Sequence, residues 1–252
     1  MVRSDVRFGV RAALSAGALA LVAVPFGLLL LLVKDRWPPL EALDASARDD
    51  LNQYAVQQPG FVAVMKALSA IGSSAVYLVV FAVVAAWLWR RGLPRLALFV
   101  VVTTLGGWLL NVTVKEVVDR ARPVVTDPVA SAQGLSFPSG HAQAAMVAYG
   151  VLLLSFWPAL RGVGRRVAVV VAVLLVIGIG FSRVALGVHF VSDVLAGYAL
   201  GAAWVLAMTA AFSAWRVERG RPAVDPTEGL EPEQAARLSG DAGTHRPDQG
   251  DE

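Results

Sequence analysis

Three short stretches carry polar side chains whose types suit one kind of chemistry. Lys115 and Arg122 belong to "KEVVDRARP", residues 115–123. "PSGH" occupies 138–141, and "SRVALGVHFVSD", 182–193, holds Arg183, His189 and Asp193. Lys115, Arg122 and Arg183 are three cations that can converge on one anion. Arginine suits phosphate especially, because its planar guanidinium donates in a fork to the oxygens. In "PSGH" the proline and glycine set a tight turn into a helix. That leaves the Ser139 hydroxyl and the Gly140 and His141 backbone N–H groups at a positive helix end, where an anion is favoured. His189 and Asp193 are four apart and share one helical face. The carboxylate can hold one imidazole nitrogen protonated and leave the other free to attack. His141 is then available as the general acid for the leaving oxygen.

An anion cradle, an oriented nucleophile and a proton donor fit phosphoryl transfer through a covalent phosphohistidine. No carboxylate cluster or Cys/His spacing suggests a metal, so the cations are expected to stabilise the charge and no cofactor is expected. Singly, each element has a plainer use. Lys115 could snorkel at a helix end, Arg183 could be a topology charge, and His189 with Asp193 could be a structural pair. Agreement among independent clusters favours the chemical reading. Asn111 and Asp119 flank Lys115 by four residues on either side and are expected to support it, with Arg120 adding to the cationic field.

The elements that position these residues are read from apolar blocks. Of 252 residues, 56% are hydrophobic and 16% charged, against about half and a quarter in soluble domains. The apolar excess is gathered into long runs, so the expected fold is an all-α integral membrane bundle of six helices. The spans fall at about 12–33, 70–89, 96–114, 142–160, 167–186 and 190–214. The first is longer than the apolar core of a secretory signal and reads as an uncleaved helix. "FVAVMKALSA", from Phe61, has apolar residues at helical spacing and is expected along the interface before the second span. The net charge is +3. Its basic residues lie in short clusters between apolar blocks, as topology signals do, and no nucleic-acid partner is expected. Cysteine is absent, which excludes disulfides and thiolate metal sites.

Segments 1–11, 90–95, 161–166 and 216–221 each hold three Lys or Arg, and the longer alternate segments hold fewer per residue. The positive-inside rule then places both termini in the cytoplasm. Segment 1–11 is the cytoplasmic lead, and 216–252 is a polar cytoplasmic tail expected to be disordered. The same topology brings all the polar clusters to the extracytoplasmic ends of adjoining helices, away from the bilayer centre where a charge is costly. Trp37, Trp87, Trp89, Trp157 and Trp215 fall at span ends, as an aromatic belt would; Trp108 and Trp204 are expected to pack. Gly197 and Gly201 form a G-x-x-x-G expected to let helices approach closely.

The three stretches together resemble the signature of the type 2 phosphatidic acid phosphatase superfamily: K-x6-R-P, then P-S-G-H, then S-R-x5-H-x3-D. Every fixed position is filled. The superfamily includes lipid phosphate phosphatases, undecaprenyl pyrophosphate phosphatases and, in soluble form, vanadium haloperoxidases; six spans favour a membrane lipid phosphatase. The resemblance implies His189 as nucleophile, Asp193 as its orienting partner and His141 as the acid. Lys115, Arg122, Ser139, Gly140 and Arg183 would hold the phosphate oxygens.

The expected activity is metal-independent hydrolysis of a terminal phosphate from a lipid phosphate or polyprenyl pyrophosphate. The expected setting is a multi-pass protein of the cell membrane, with lipids as partners. Two alternatives stay open: a phosphotransferase using an alcohol acceptor, and a non-catalytic transporter or anion-binding membrane protein. Phosphatidic acid, phosphatidylglycerol phosphate and undecaprenyl pyrophosphate all present the same terminal phosphate. Selectivity among them is expected to depend on loop 124–137 and on grooves between helices.

Overall fold

A computed structural model describes residues 17, 20–218, 229–231, 233 and 237–238. Among them there are helices and no strands. The helices are α1 (Ala20–Lys34), α2 (Pro38–Gln57), α3 (Pro59–Ile71), α4 (Ser74–Arg90), α5 (Pro94–Val118), α6 (Gly140–Phe156), α7 (Val163–Ala185) and α8 (Val191–Glu218). A single 3-10 turn, Trp157–Ala159, extends α6.

The starts of these helices are written in the sequence. Pro38, Pro59 and Pro94 open α2, α3 and α5, where a missing N–H costs nothing and a fixed φ helps. Ser73 and Ser139 cap α4 and α6, accepting from Val76 N at 3.4 Å and Ala142 N at 3.5 Å.

Four helical stretches are long and apolar enough to cross a bilayer unaided: Pro94–Val118, Gly140–Ala159, Val163–Ala185 and Val191–Arg216. A fifth crossing is available if α3 and α4 act as one span bent by 40°. The remaining expected span, 12–33, meets α1, with 12–16, 18 and 19 outside the described residues. α7 presents Val167, Val170, Val173, Leu174 and Ile177 as exposed side chains. Such a continuous apolar stripe on a single helix is what lipid would cover.

Residues 34–60, between the first two expected spans, are mostly the helix α2, whose polar side chains Asp44 and Asn52 are buried. α3, expected along the interface, packs against the end of α7. Met65 packs with Ala185, Leu186 and Val188 at the end of α7, and Leu68 lies beside Gly178.

The core sits where α4, α5, α6 and α8 meet, around Phe81, Leu88, Phe99, Val100, Val147 and Val151. α6 and α8 approach closely at the G-x-x-x-G. A Cβ on Gly197 would stand 2.7 Å from Ser139 O, and one on Gly201 2.8 Å from Gln143 O. Trp204 packs as expected, donating to Thr103 O at 2.7 Å. Trp108 does not; it is 60% exposed. Of the polar tail, most lies outside the described residues, but Glu231 is buried against Arg95, 3.1 Å away, and Arg216.

Candidate active site

The end of α5, the loop to α6, the start of α6 and the α7–α8 connection come together at one end of the bundle. α5 stops because Asp119 adopts a left-handed conformation (φ 51°) while its N–H bonds Lys115 O at 2.9 Å. The loop then folds around Arg122, whose Nε donates to Gly134 O at 3.0 Å and Nη2 to Gln133 O at 2.9 Å. Asn52 of α2 ties the same loop down through Asp127 O, 3.0 Å. α7 and α8 are joined by a tight turn in which Val188 N and His189 N both bond Arg183 O, at 3.1 and 3.2 Å.

His189 and Asp193 face each other as their spacing predicts, with Nδ1 3.3 Å from Asp193 Oδ2. Arg122 Nη1 lies 3.1 Å from His189 Nε2. A guanidinium can only donate, so Nε2 carries the lone pair and Nδ1 the proton. His189 is 2% exposed. Burial lowers its pKa to about 4, against the opposing pull of the Asp193 carboxylate, so the ring is neutral at pH 7.

Asp193 is fully buried and held from several sides. Oδ2 accepts from Ser136 Oγ and from Phe190 N at 2.9 Å, and Oδ1 accepts from Arg120 at 2.6 Å. Arg120 bonds Asp44 Oδ2 at 2.8 Å as well and lies over the Phe190 ring, 4.2 Å from its centroid. Asp44 completes the network by accepting from Ser192 N at 3.0 Å and from the Ser192 hydroxyl. Arg120 is therefore not part of a free cationic field; two carboxylates neutralise it. Asp44 and Ser136 are site residues that sequence reasoning missed. Their polar character inside an otherwise mixed helix and a loop was the available signal.

The other three cations are placed differently. Lys115 Nζ donates to Leu135 O at 2.6 Å, Arg122 to loop carbonyls and Val188 O, and Arg183 Nη1 to the Ser69 hydroxyl. Among the described residues none of the three makes an ion pair with a carboxylate, and Arg183 Nε, though buried, has no acceptor. Ser139 N bonds Asp193 O at 2.9 Å, fixing the start of α6 against α8. The Gly140 and His141 N–H groups stand in the first turn, where no preceding carbonyl reaches them. His141 stands beside Gly140 and Lys115 on the wall of one cavity. All eight residues predicted for the site thus fall in one neighbourhood, around a spot with surplus positive charge.

A cavity of about 670 Å³ opens from this neighbourhood between α4, α5 and α6. Lys115, Gly140 and His141 line its head, and Leu78, Phe81, Val101, Leu105 and Trp108 its apolar walls. Its lining on α5 runs from Val101 to Lys115, which is roughly 21 Å of helix at 1.5 Å per residue.

The fold and the sequence have known counterparts. Residues 95–217 match the model of the PAP2 superfamily. Phosphatidylglycerophosphatase B of Bacillus subtilis (strain 168) is 34% identical over 163 residues, covering 62% of this chain and 78% of that protein. The chain belongs to the PAP2 superfamily. A second relative, the decaprenylphosphoryl-5-phosphoribose phosphatase of Mycobacterium tuberculosis (strain ATCC 25618 / H37Rv), is 33% identical over 153 residues, 58% of this chain and 78% of its own. The crystal structure of a transmembrane PAP2 type phosphatidylglycerolphosphate phosphatase from Bacillus subtilis superposes with a TM-score of 0.65 at 27% identity. It covers 79% of this chain and 98% of the other. The PAP2 membership agrees with the family resemblance carried by the three stretches.

Proposed function

We propose that this PAP2 protein is a membrane phosphohydrolase that removes a terminal phosphate from a lipid phosphate or polyprenyl pyrophosphate. One observation carries the reading. Lys115, Arg122 and Arg183, which have no carboxylate partner among the described residues, gather around a neutral imidazole whose Nε2 faces Arg122, beside the head of an apolar cavity. The phosphorylated head would sit among the cations and the lipid tail in the cavity. The PAP2 relatives point the same way, since their names assign them phosphorylated lipids.

The geometry supports the following steps. Nε2 of His189 attacks phosphorus, the bond to the leaving oxygen breaks, and His141 delivers a proton to that oxygen. Lys115, Arg122, Arg183, the Ser139 hydroxyl and the Gly140 N–H hold the phosphoryl oxygens as charge spreads over them. Asp193 keeps Nδ1 protonated and supports the positive charge that the ring acquires. Water then attacks the phosphohistidine, His141 takes its proton, and inorganic phosphate leaves with His189 restored. No metal takes part in this scheme; the cations of the chain supply the stabilisation. The site opens on the extracytoplasmic side of the cell membrane.

Purified protein in detergent should release phosphate from a lipid phosphate in excess EDTA. His189→Ala should lower that release about a thousandfold or more. Undiminished activity in the variant would overturn the mechanism. Transfer to an added alcohol in place of water would show as a new phosphate ester.

A further inference from the structure

The cavity is the leaving-group side of the site. His141 and Lys115 line it, whereas His189, Arg122 and Asp193 do not, and in an in-line displacement the nucleophile and the leaving group lie on opposite sides of phosphorus. Asn111 lines the same cavity, one helical turn before Lys115 on α5. Its side chain is buried, with 5% of the residue exposed, and Nδ2 makes no hydrogen bond to any described residue. Its Oδ1 lies 3.3 Å from where a Cβ on Gly140 would stand. The amide therefore sits against the first residue of α6, beside His141. Sequence spacing assigned Asn111 to Lys115 as a partner, but Lys115 turns to Leu135 O and Ser136 O.

A buried amide donor without an acceptor is rare and calls for a reason. Here the reason lies in the space it faces. We infer that Asn111 is a specificity-determining residue: its side-chain N–H donates to an oxygen of the lipid leaving group, near the bond that breaks. The inference rests on the phosphohydrolase reading above. The amide is neutral, so it adds nothing to the attraction for phosphate that the three cations already exert. What it adds is a preference beyond the phosphate. A leaving group with an oxygen a few atoms from the scissile bond, such as a glycerol ester, a sugar ring or a second phosphate, satisfies the donor. A plain alkyl phosphate leaves it buried and unpaired, and sites built to donate a hydrogen bond discriminate strongly against such analogues.

The test compares dioleoyl phosphatidic acid with hexadecyl phosphate, assayed in detergent with the full chain. Wild-type protein should favour the glycerolipid in kcat/KM. Asn111→Leu, close in shape but without the donor, should lose about tenfold or more on the glycerolipid and change less than threefold on the alkyl phosphate. Asn111→Ala should show the same collapse of the ratio, which keeps the comparison decisive if the leucine variant fails to fold. An unchanged ratio in active variants, or equal losses on both substrates, would overturn the assignment and leave the phosphohydrolase reading standing. No phosphate release from either lipid by wild-type protein would bring down both.

Discussion

At His189, burial and a carboxylate pull the proton affinity in opposite directions, and burial wins. In the proposed mechanism the nucleophile is the neutral ring, which predominates above a pKa of about 4. An unshifted histidine would be half protonated near 6.5. The ring resonances of His189 in the unliganded protein are therefore expected to titrate near pH 4; a midpoint near 6.5 would contradict the buried setting. The sign carries over to stability. Between these two values the unfolded chain binds more protons than the folded one, so acidification through that window weakens the fold. Arg120 belongs to the same account, since it bonds Asp193 and Asp44 at once and lets a buried carboxylate stay charged beside the imidazole.

Among the elements, the contact between α6 and α8 sets the distance from the proposed phosphate cradle to the proposed nucleophile, His189. Ser139 N bonds Asp193 O, and one turn further along α8 Gly197 meets Ser139 O with no room for a side chain. Gly197→Val must push α6 away from α8. Overpacking of this kind costs about 1–3 kcal/mol, and the displaced Ser139, Gly140 and His141 would no longer match the position of His189. A fall in melting temperature with loss of most phosphate release is expected. A variant with wild-type activity would show that the helix contact does not position the site. α2 contributes from the other side, where Asp44 fastens a polar helix to the start of α8 through Ser192.

For the whole molecule, the proposed orientation makes a prediction that needs no substrate. The chain has no cysteine, so single cysteines report their own surroundings. Gln133→Cys lies in the exposed part of the loop over the site, and Gly164→Cys lies at the opposite end of the bundle, where a side chain meets nothing within 4 Å. In intact cells a membrane-impermeant maleimide should label the first and reach the second only after permeabilisation. The reverse pattern would put the site in the cytoplasm. Labelling in this order would also fit the arrangement of basic clusters, since Gly164 lies in the first turn of α7, within the Arg-rich segment 161–166.

What the linear chain determined by itself was the set of candidate groups for the site and the apolar lengths between them. Spacing of four placed His189 and Asp193 face to face, and Pro, Ser and Gly at fixed offsets began α6 with free N–H groups, because these are local consequences of helix geometry. The tertiary structure decided which cations are neutralised. Arg120 and Arg122 are two residues apart and look alike in sequence, yet one is spent on Asp44 and Asp193 and the other faces His189. Asp44, 148 residues from Ser192, and Asn111 beside Gly140 became legible only in three dimensions. A partner's distance and the burial of an amide depend on helix packing, and no local pattern encodes them.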